Sequence, residues 1–222
     1  MKKTLFTFFL FCLSFTPLFS QNFAGKRITN GNLSVNLQGS TVSPSLDKTD
    51  LNLNFTFLTG KIKENNTYTA FGFNLGIISS QNPQSSGTGI NIYSNSTYNI
   101  GPAIQFGKFV KVFDQFYFAP NTTLGASYIF GSSETPSSKR DLSGFSGRLN
   151  IAPLSFVYKV QSNFLLSMNL GGFGVNYSYI GSSQDNTNPF GTTLNSNDTS
   201  VYNLSIFGSV TNFSGIGAYY LF

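Results

Sequence analysis

Apolar and polar residues alternate along most of this chain with a period of two, which is the pattern of strands with one face in an apolar environment. The last run, Val201 to Phe222, sets the theme: Ile206, Ile216, Ala218, Tyr220 and Phe222 share one face, and Asn203, Ser205 and Thr211 share the other with Tyr219 and Leu221. Seven runs precede it. Leu33, Val35 and Leu37 alternate with Ser34, Asn36 and Gln38; Leu51, Leu53, Phe55 and Phe57 alternate with Asn52, Asn54 and Thr56. The third run, about 67–78, sets Phe71, Phe73, Leu75 and Ile77 against Ala70, Gly72, Asn74 and Gly76. The fourth sets Tyr98, Ile100, Pro102, Ile104 and Phe106 against Asn99, Gly101, Ala103 and Gln105, with Pro102 read as a local irregularity. The fifth, 116–130, puts Leu124 and Tyr128 opposite Asn121 and Gly125; the sixth puts Phe145, Leu149, Ile151 and Pro153 opposite Ser146, Arg148 and Asn150. In the seventh, 164–180, the apolar set changes parity at Gly171-Gly172, which predicts a β-bulge.

The connections alternate in length. Short ones fall near 61–66, 111–115 and 159–163, and long polar ones near 40–50, 79–96, 131–141 and 181–200. Short turns at one end and long loops at the other suit an eight-stranded, antiparallel, up-and-down transmembrane β-barrel. A soluble sandwich or a ligand-binding barrel of the periplasm would share the alternation of residues but would not need the alternation of loops. On the barrel reading, Phe55, Phe73, Leu124, Ile151, Tyr220 and Phe222 face lipid. Asn52, Asn54, Asn74, Gln105, Asn121, Asn150 and Arg148 then line the lumen. Aromatic rings at strand ends, among them Tyr68, Tyr98, Phe116, Tyr128, Tyr158, Tyr177, Tyr179, Tyr219 and Tyr220, read as girdles at the two lipid–water boundaries.

Composition sharpens this picture. Only 9% of the 222 residues are charged, against roughly 25% in an ordinary soluble domain. Phe occurs 25 times and Tyr 11 times, which argues against disorder. The start, Met1-Lys2-Lys3 followed by an apolar stretch to Phe19, reads as a secretory signal peptide over residues 1–20, cleaved to leave a single domain, 21–222. Cys12, the one cysteine, leaves with that leader, so no disulfide is expected, and loss of Lys2 and Lys3 takes the net charge from +5 to +3.

The chemistry available to the chain is thin. With no histidine and no cysteine after the leader, a histidine-based triad, thiol catalysis and most metal clusters are excluded. The eight acidic residues fall in or beside turns and loops and form no catalytic pair, so the chain is expected to be neither an enzyme nor a cofactor or metal protein. Two basic residues, Lys26 and Arg27, do not make a nucleic-acid surface. Arg148 is the one charge the alternation sends inward at mid-strand. It reads either as a hydrogen-bonded plug residue of a narrow barrel or as a group that binds an anion or lines a pore.

Leader, Tyr98-Asn-Ile-Gly-Pro102, Leu170-Gly-Gly-Phe-Gly-Val175 and the ending Gly217-Ala-Tyr-Tyr-Leu-Phe222 together resemble the small outer-membrane β-barrel family of the Bacteroidota, with Leu221 standing where that family often has a basic residue. The resemblance implies an integral, monomeric, porin-like protein in the outer membrane of a Gram-negative bacterium. Its partners would be outer-membrane lipid, the barrel-assembly machinery acting on the C-terminal strand, and an extracellular protein or glycan. Its role would be structural or surface-interacting, through four long extracellular loops over a largely closed lumen. The alternative reading is a narrow pore or a transporter for small solutes or an apolar ligand.

Overall fold

A computed structural model describes residues 23–43, 46–86, 89–135, 138–184 and 199–222. The leader expected at 1–20 lies outside the described residues. Eleven strands form one antiparallel sheet: β1 (Arg27–Ser43), β2 (Leu46–Ile62), β3 (Thr67–Ser86), β4 (Gly89–Lys108), β5 (Val110–Lys111), β6 (Phe116–Phe118), β7 (Asn121–Thr135), β8 (Ser138–Ala152), β9 (Leu154–Lys159), β10 (Phe164–Gln184) and β11 (Thr199–Leu221). Eight of them pair in a ring, in the order β11-β1-β2-β3-β4-β7-β8-β10, with β10 pairing back to β11. The short β9, β6 and β5 carry the sheet on from β10 at the end where Phe23 and Phe222 lie.

The expected eight-stranded, up-and-down transmembrane barrel is corrected in three respects. First, prolines divide two of the runs. Pro120 separates β6 from β7 and Pro153 separates β8 from β9, because a residue without an N–H cannot carry a ladder on both sides. The chain is held across these breaks by single bonds, from the Ala119 N–H to the Ser155 carbonyl at 2.7 Å and from the Lys108 N–H to the Pro120 carbonyl at 3.3 Å. At Pro102 the ladder continues toward β3 but lapses toward β7, whose pairing passes from Ile100↔Tyr128 to Ala103↔Gly125.

Second, most of the long connections are strand. Residues expected to be loop at 79–96 are paired from Ser79↔Ser96 to Ser86↔Gly89, those at 40–50 from Gln38↔Asp50 to Ser43↔Leu46, and those at 131–141 from Gly131↔Leu142 to Thr135↔Ser138. Ser, Thr, Asn and Gln on both faces hide a strand from a test that looks for apolar alternation, yet they pair through the backbone as well as any other residue. Three of the four expected long extracellular loops are therefore largely strand. Of the fourth, residues 185–198 lie outside the described residues.

Third, the ring is not closed along its height. The β1–β11 seam is zipped over six residue pairs, from Ile28↔Leu221 to Leu33↔Ile216. Beyond them, β1 from Ser34 onward pairs with β2 alone, and β11 before Ile216 pairs with β10 alone. Gly215, at φ +156°, marks the departure; a β-carbon there would lie 3.0 Å from Asn32 Oδ1 and 3.3 Å from the Leu33 carbonyl. Hydrocarbon does not tolerate an open sheet edge, since nothing there hydrogen-bonds the unpaired N–H and C=O groups. The transmembrane span, lipid as a partner and the outer-membrane localisation fall on that edge. The assembly-machinery expectation falls with them: the last strand is already engaged, with the Arg27 N–H donating to the Phe222 carbonyl at 2.8 Å and the Phe222 N–H to the Arg27 carbonyl at 3.1 Å.

The core sits at the zipped end. Ile28, Leu58, Ile62, Tyr68, Ala70, Leu165, Tyr219 and Leu221 point inward from the ring, and Phe23, Phe109, Tyr117, Ala119 and Val157 fold in beneath them. Phe109 meets Phe23, Tyr68 and Tyr219 with ring centroids 5.1–5.5 Å apart. These residues make an aromatic floor under the ring.

Candidate binding chamber

Directly above the floor lies a hydrogen-bonded polar layer. Gln105 is its centre: Oε1 accepts from Asn30 Nδ2 at 2.9 Å and from the Tyr68 hydroxyl at 3.4 Å. Its Nε2 donates to Asn121 Oδ1 at 3.0 Å and to Thr123 Oγ1 at 3.2 Å. Asn121 Nδ2 closes the layer on the Ala119 carbonyl, and the Tyr68 and Tyr219 hydroxyls stand 3.4 Å apart. Five strands, β1, β3, β4, β7 and β11, contribute because the antiparallel register brings their inward positions to one level. Burial raises the pKa of Tyr68, and raises that of Tyr219 as well, since ionising either would place a charge against the floor.

The next inward positions form the wall of a chamber. Asn74 Nδ2 donates to Ser127 Oγ at 2.7 Å, while Asn74 Oδ1, fully buried, has no partner. Gly125 leaves space beside it, since a β-carbon there would stand 3.4 Å from that oxygen. Arg148, two inward positions above Ala152, lies opposite Gly125 on β7 and Asn176 on β10. Its side chain is reached by solvent, yet the surrounding protein lowers its pKa by desolvation. Arg148 is thus a solvent-reached cation on the inner face of the sheet, partly desolvated by the protein around it. Further up, Asn54 Nδ2 donates to Asn52 Oδ1 at 2.6 Å, and Lys48 pairs with Asp50 at 3.1 Å.

The sequence-derived lumen set is thus divided. Gln105 and Asn121 belong to the sealed polar layer, Asn74 and Arg148 to the chamber, Asn52 and Asn54 to each other, and Asn150 stands between Ala152 and Arg148 on β8. The set on the opposite face, Phe73, Leu124, Ile151, Tyr220 and Phe222, is exposed, and Phe55 is half-buried. Three residues of the polar layer were missed by sequence reasoning. Asn30 lies ahead of the first run in which apolar and polar residues alternate. Tyr68 and Tyr219 were read as girdle aromatics, whereas they are 1% and 2% exposed inside the ring. Parity held the signal: Tyr68 shares a face with Ala70 and Asn74, and Tyr219 with Gly217. The largely closed lumen is corrected as well, since it is sealed at the floor and open along the seam. A narrow pore finds no through-path past that floor.

A second concavity opens on the outside of the seam, where β1 and β11 part. It has a volume of about 510 Å³ and is lined by Leu33, Val35, Phe55, Leu166, Ile216 and Ala218. Among the described residues no three His, Cys, Asp or Glu side chains gather to hold a metal ion.

The arrangement defines a class: an antiparallel β-ring with an aromatic floor, a polar chamber above it and one side unzipped. Beyond that class, no family model matches the chain and no curated protein matches it, so the resemblance to the Bacteroidota outer-membrane barrels finds no support in either comparison.

Proposed function

We propose that this protein acts by binding rather than by catalysis, and that the chamber above its floor takes a small molecule carrying an anionic group, a carboxylate or a phosphate. The observation that carries the reading is Arg148, a partly desolvated cation on a wall otherwise made of neutral Asn, Ser and Gly. An anion at Arg148 offsets the desolvation the guanidinium already suffers. Among the described residues, the other charges on the interior faces, Lys48, Asp50 and Arg140, lie toward the far end of the ring, and Lys48 and Asp50 pair with each other. Asn74 Oδ1 and the space at Gly125 favour a ligand that also has an N–H or O–H group to donate.

The test is a thermal-shift titration with inorganic phosphate and a series of small carboxylates, on the native chain and on Arg148→Met, which keeps the length of the side chain and removes its charge. A saturable rise in melting temperature with at least one of these anions, lost in Arg148→Met while the far-ultraviolet spectrum is unchanged, supports the reading. No stabilisation by any of them, or equal stabilisation of the variant, rejects it.

A further inference from the structure

The unzipped seam has a chemistry of its own. Among the described residues, β1 from Ser34 to Ser43 pairs with β2 and has no partner on its other side, and β11 from Thr199 to Gly215 pairs with β10 and has none on its other side. Each edge presents a row of N–H and C=O groups, because alternate residues of a strand point these groups to opposite sides. Proteins guard such edges with Lys, Pro, inward charge or a covering segment. Here neither stretch contains a single Lys, Arg, Asp, Glu or Pro.

Exposure tells the same story independently. Along the outward face of β1 it climbs away from the zip, from 47% at Leu33 to 53% at Val35 and 68% at Leu37; on β11 it reaches 80% at Ile206. These side chains lack the neighbour that a further strand supplies. The apolar cavity lined by Leu33, Val35, Phe55, Leu166, Ile216 and Ala218 lies where such a strand would begin.

We propose that the free edge of β1 is an acceptor for an extended peptide segment of another polypeptide, which adds as an antiparallel strand and continues the ladder that Ile216–Leu221 begins. The edge dictates the segment's chemistry. Positions on the outer side lie beside Val35 and Leu37 and are apolar; positions on the inner side lie beside Ser34 and Gln38 and are small and polar. The segment is uncharged over this length, since the edge offers no ion-pair partner, and it contains no proline at positions that must donate to β1. Main-chain hydrogen bonds supply affinity, and the alternation fixes the register.

The probe is a fluorescein-labelled peptide with the sequence of residues 203–213 of this chain carrying Phe207→Ser and Phe213→Ser, which leaves Leu204, Ile206 and Val210 on the outer side and small polar residues on the inner side. The lock is Val35→Cys with Ser214→Cys in a Cys12→Ser background, the pair that would face each other if the zip ran one step further than Ser34 and Gly215. Saturable binding of the peptide to the reduced protein, lost on oxidation and regained on reduction, is the expected result. Amide exchange gives a second reading that does not depend on the lock. In the free protein, amides across 34–43 include a set that exchanges faster than those across 51–57, and the peptide slows that set by at least about tenfold. The proposal is overturned by absence of peptide binding to the reduced protein, by equal binding to the oxidised one, or by amides 34–43 already as protected as 51–57. Spontaneous and complete disulfide formation during purification also overturns it, since the seam would then satisfy itself.

Discussion

Single residues in the floor and the layer above it carry stability for different reasons. Leu58 is fully buried among apolar neighbours. Leu58→Ala removes transferred methylenes and leaves a cavity, at a cost of about 2–5 kcal/mol in denaturant unfolding. Gln105 acts through its four hydrogen bonds. Gln105→Leu has nearly the same volume but strands Asn30, Asn121 and Thr123, and each orphaned group costs about 1–3 kcal/mol. The tyrosines add a dependence on pH. Burial raises the pKa of Tyr68 and of Tyr219 above the ordinary 10.0. The unfolded chain therefore loses these protons first, and binds fewer of them than the folded chain above about pH 10. Their contribution is complete below the ordinary tyrosine value and is lost as pH climbs toward the folded values. Unfolding free energy should thus fall above about pH 10, and Tyr68→Phe should make that fall shallower.

At the scale of elements, the point of interest is the joint between β10 and β11. Their register shifts at Asn169/Leu170 and again at Leu170/Gly172, and Gly171 has φ +70°. The paired glycines announced this bulge in the sequence, because a change of face parity in a continuous strand needs an extra residue and a backbone that can turn there. Gly171→Ala puts a β-carbon on a left-handed residue and should cost about 1–2 kcal/mol, read as a lower melting temperature. The proline breaks were less legible. Pro120 and Pro153 sit inside runs whose alternation continues through them, so the pattern gives one strand where the missing N–H makes two.

Over the whole molecule, the ring holds by joining the two ends of the chain. The β1–β11 seam, from Arg27 with Phe222 through Leu33↔Ile216, holds the contacts of longest sequence separation among the described residues, and loop-closure entropy opposes it most. Removing residues 216–222 deletes every one of those pairs together with Tyr219 and Leu221 of the floor. The truncated chain is expected to lose cooperative unfolding altogether, measured by fluorescence in a denaturant series. The outer face sets a second expectation. Leu33, Phe71, Phe73, Ile100, Leu124, Phe145, Phe173 and Ile216 are all 40% exposed or more, an apolar surface far beyond scattered single residues. An apolar fluorescent dye should bind the fully folded chain strongly, without the loss of tertiary signal that marks a molten state.

The sequence by itself determined which residues share a face. Alternation is a local property, set by the pleat, and it separates Gln105, Asn121, Asn74 and Arg148 from Phe73, Leu124 and Ile151. It also located the bulge at Gly171-Gly172. It did not reveal that the polar stretches 79–96 and 131–141 are strand, because backbone pairing needs a partner and no side-chain signature. Nor did it reveal the floor, since an aromatic ring inside a narrow ring end and one outside it have the same composition. Only the tertiary structure decided that β1 and β11 meet over six residue pairs and then part. Closure depends on how the register shifts accumulate around all eight strands of the ring, and that sum is a property of the assembled sheet rather than of any one segment.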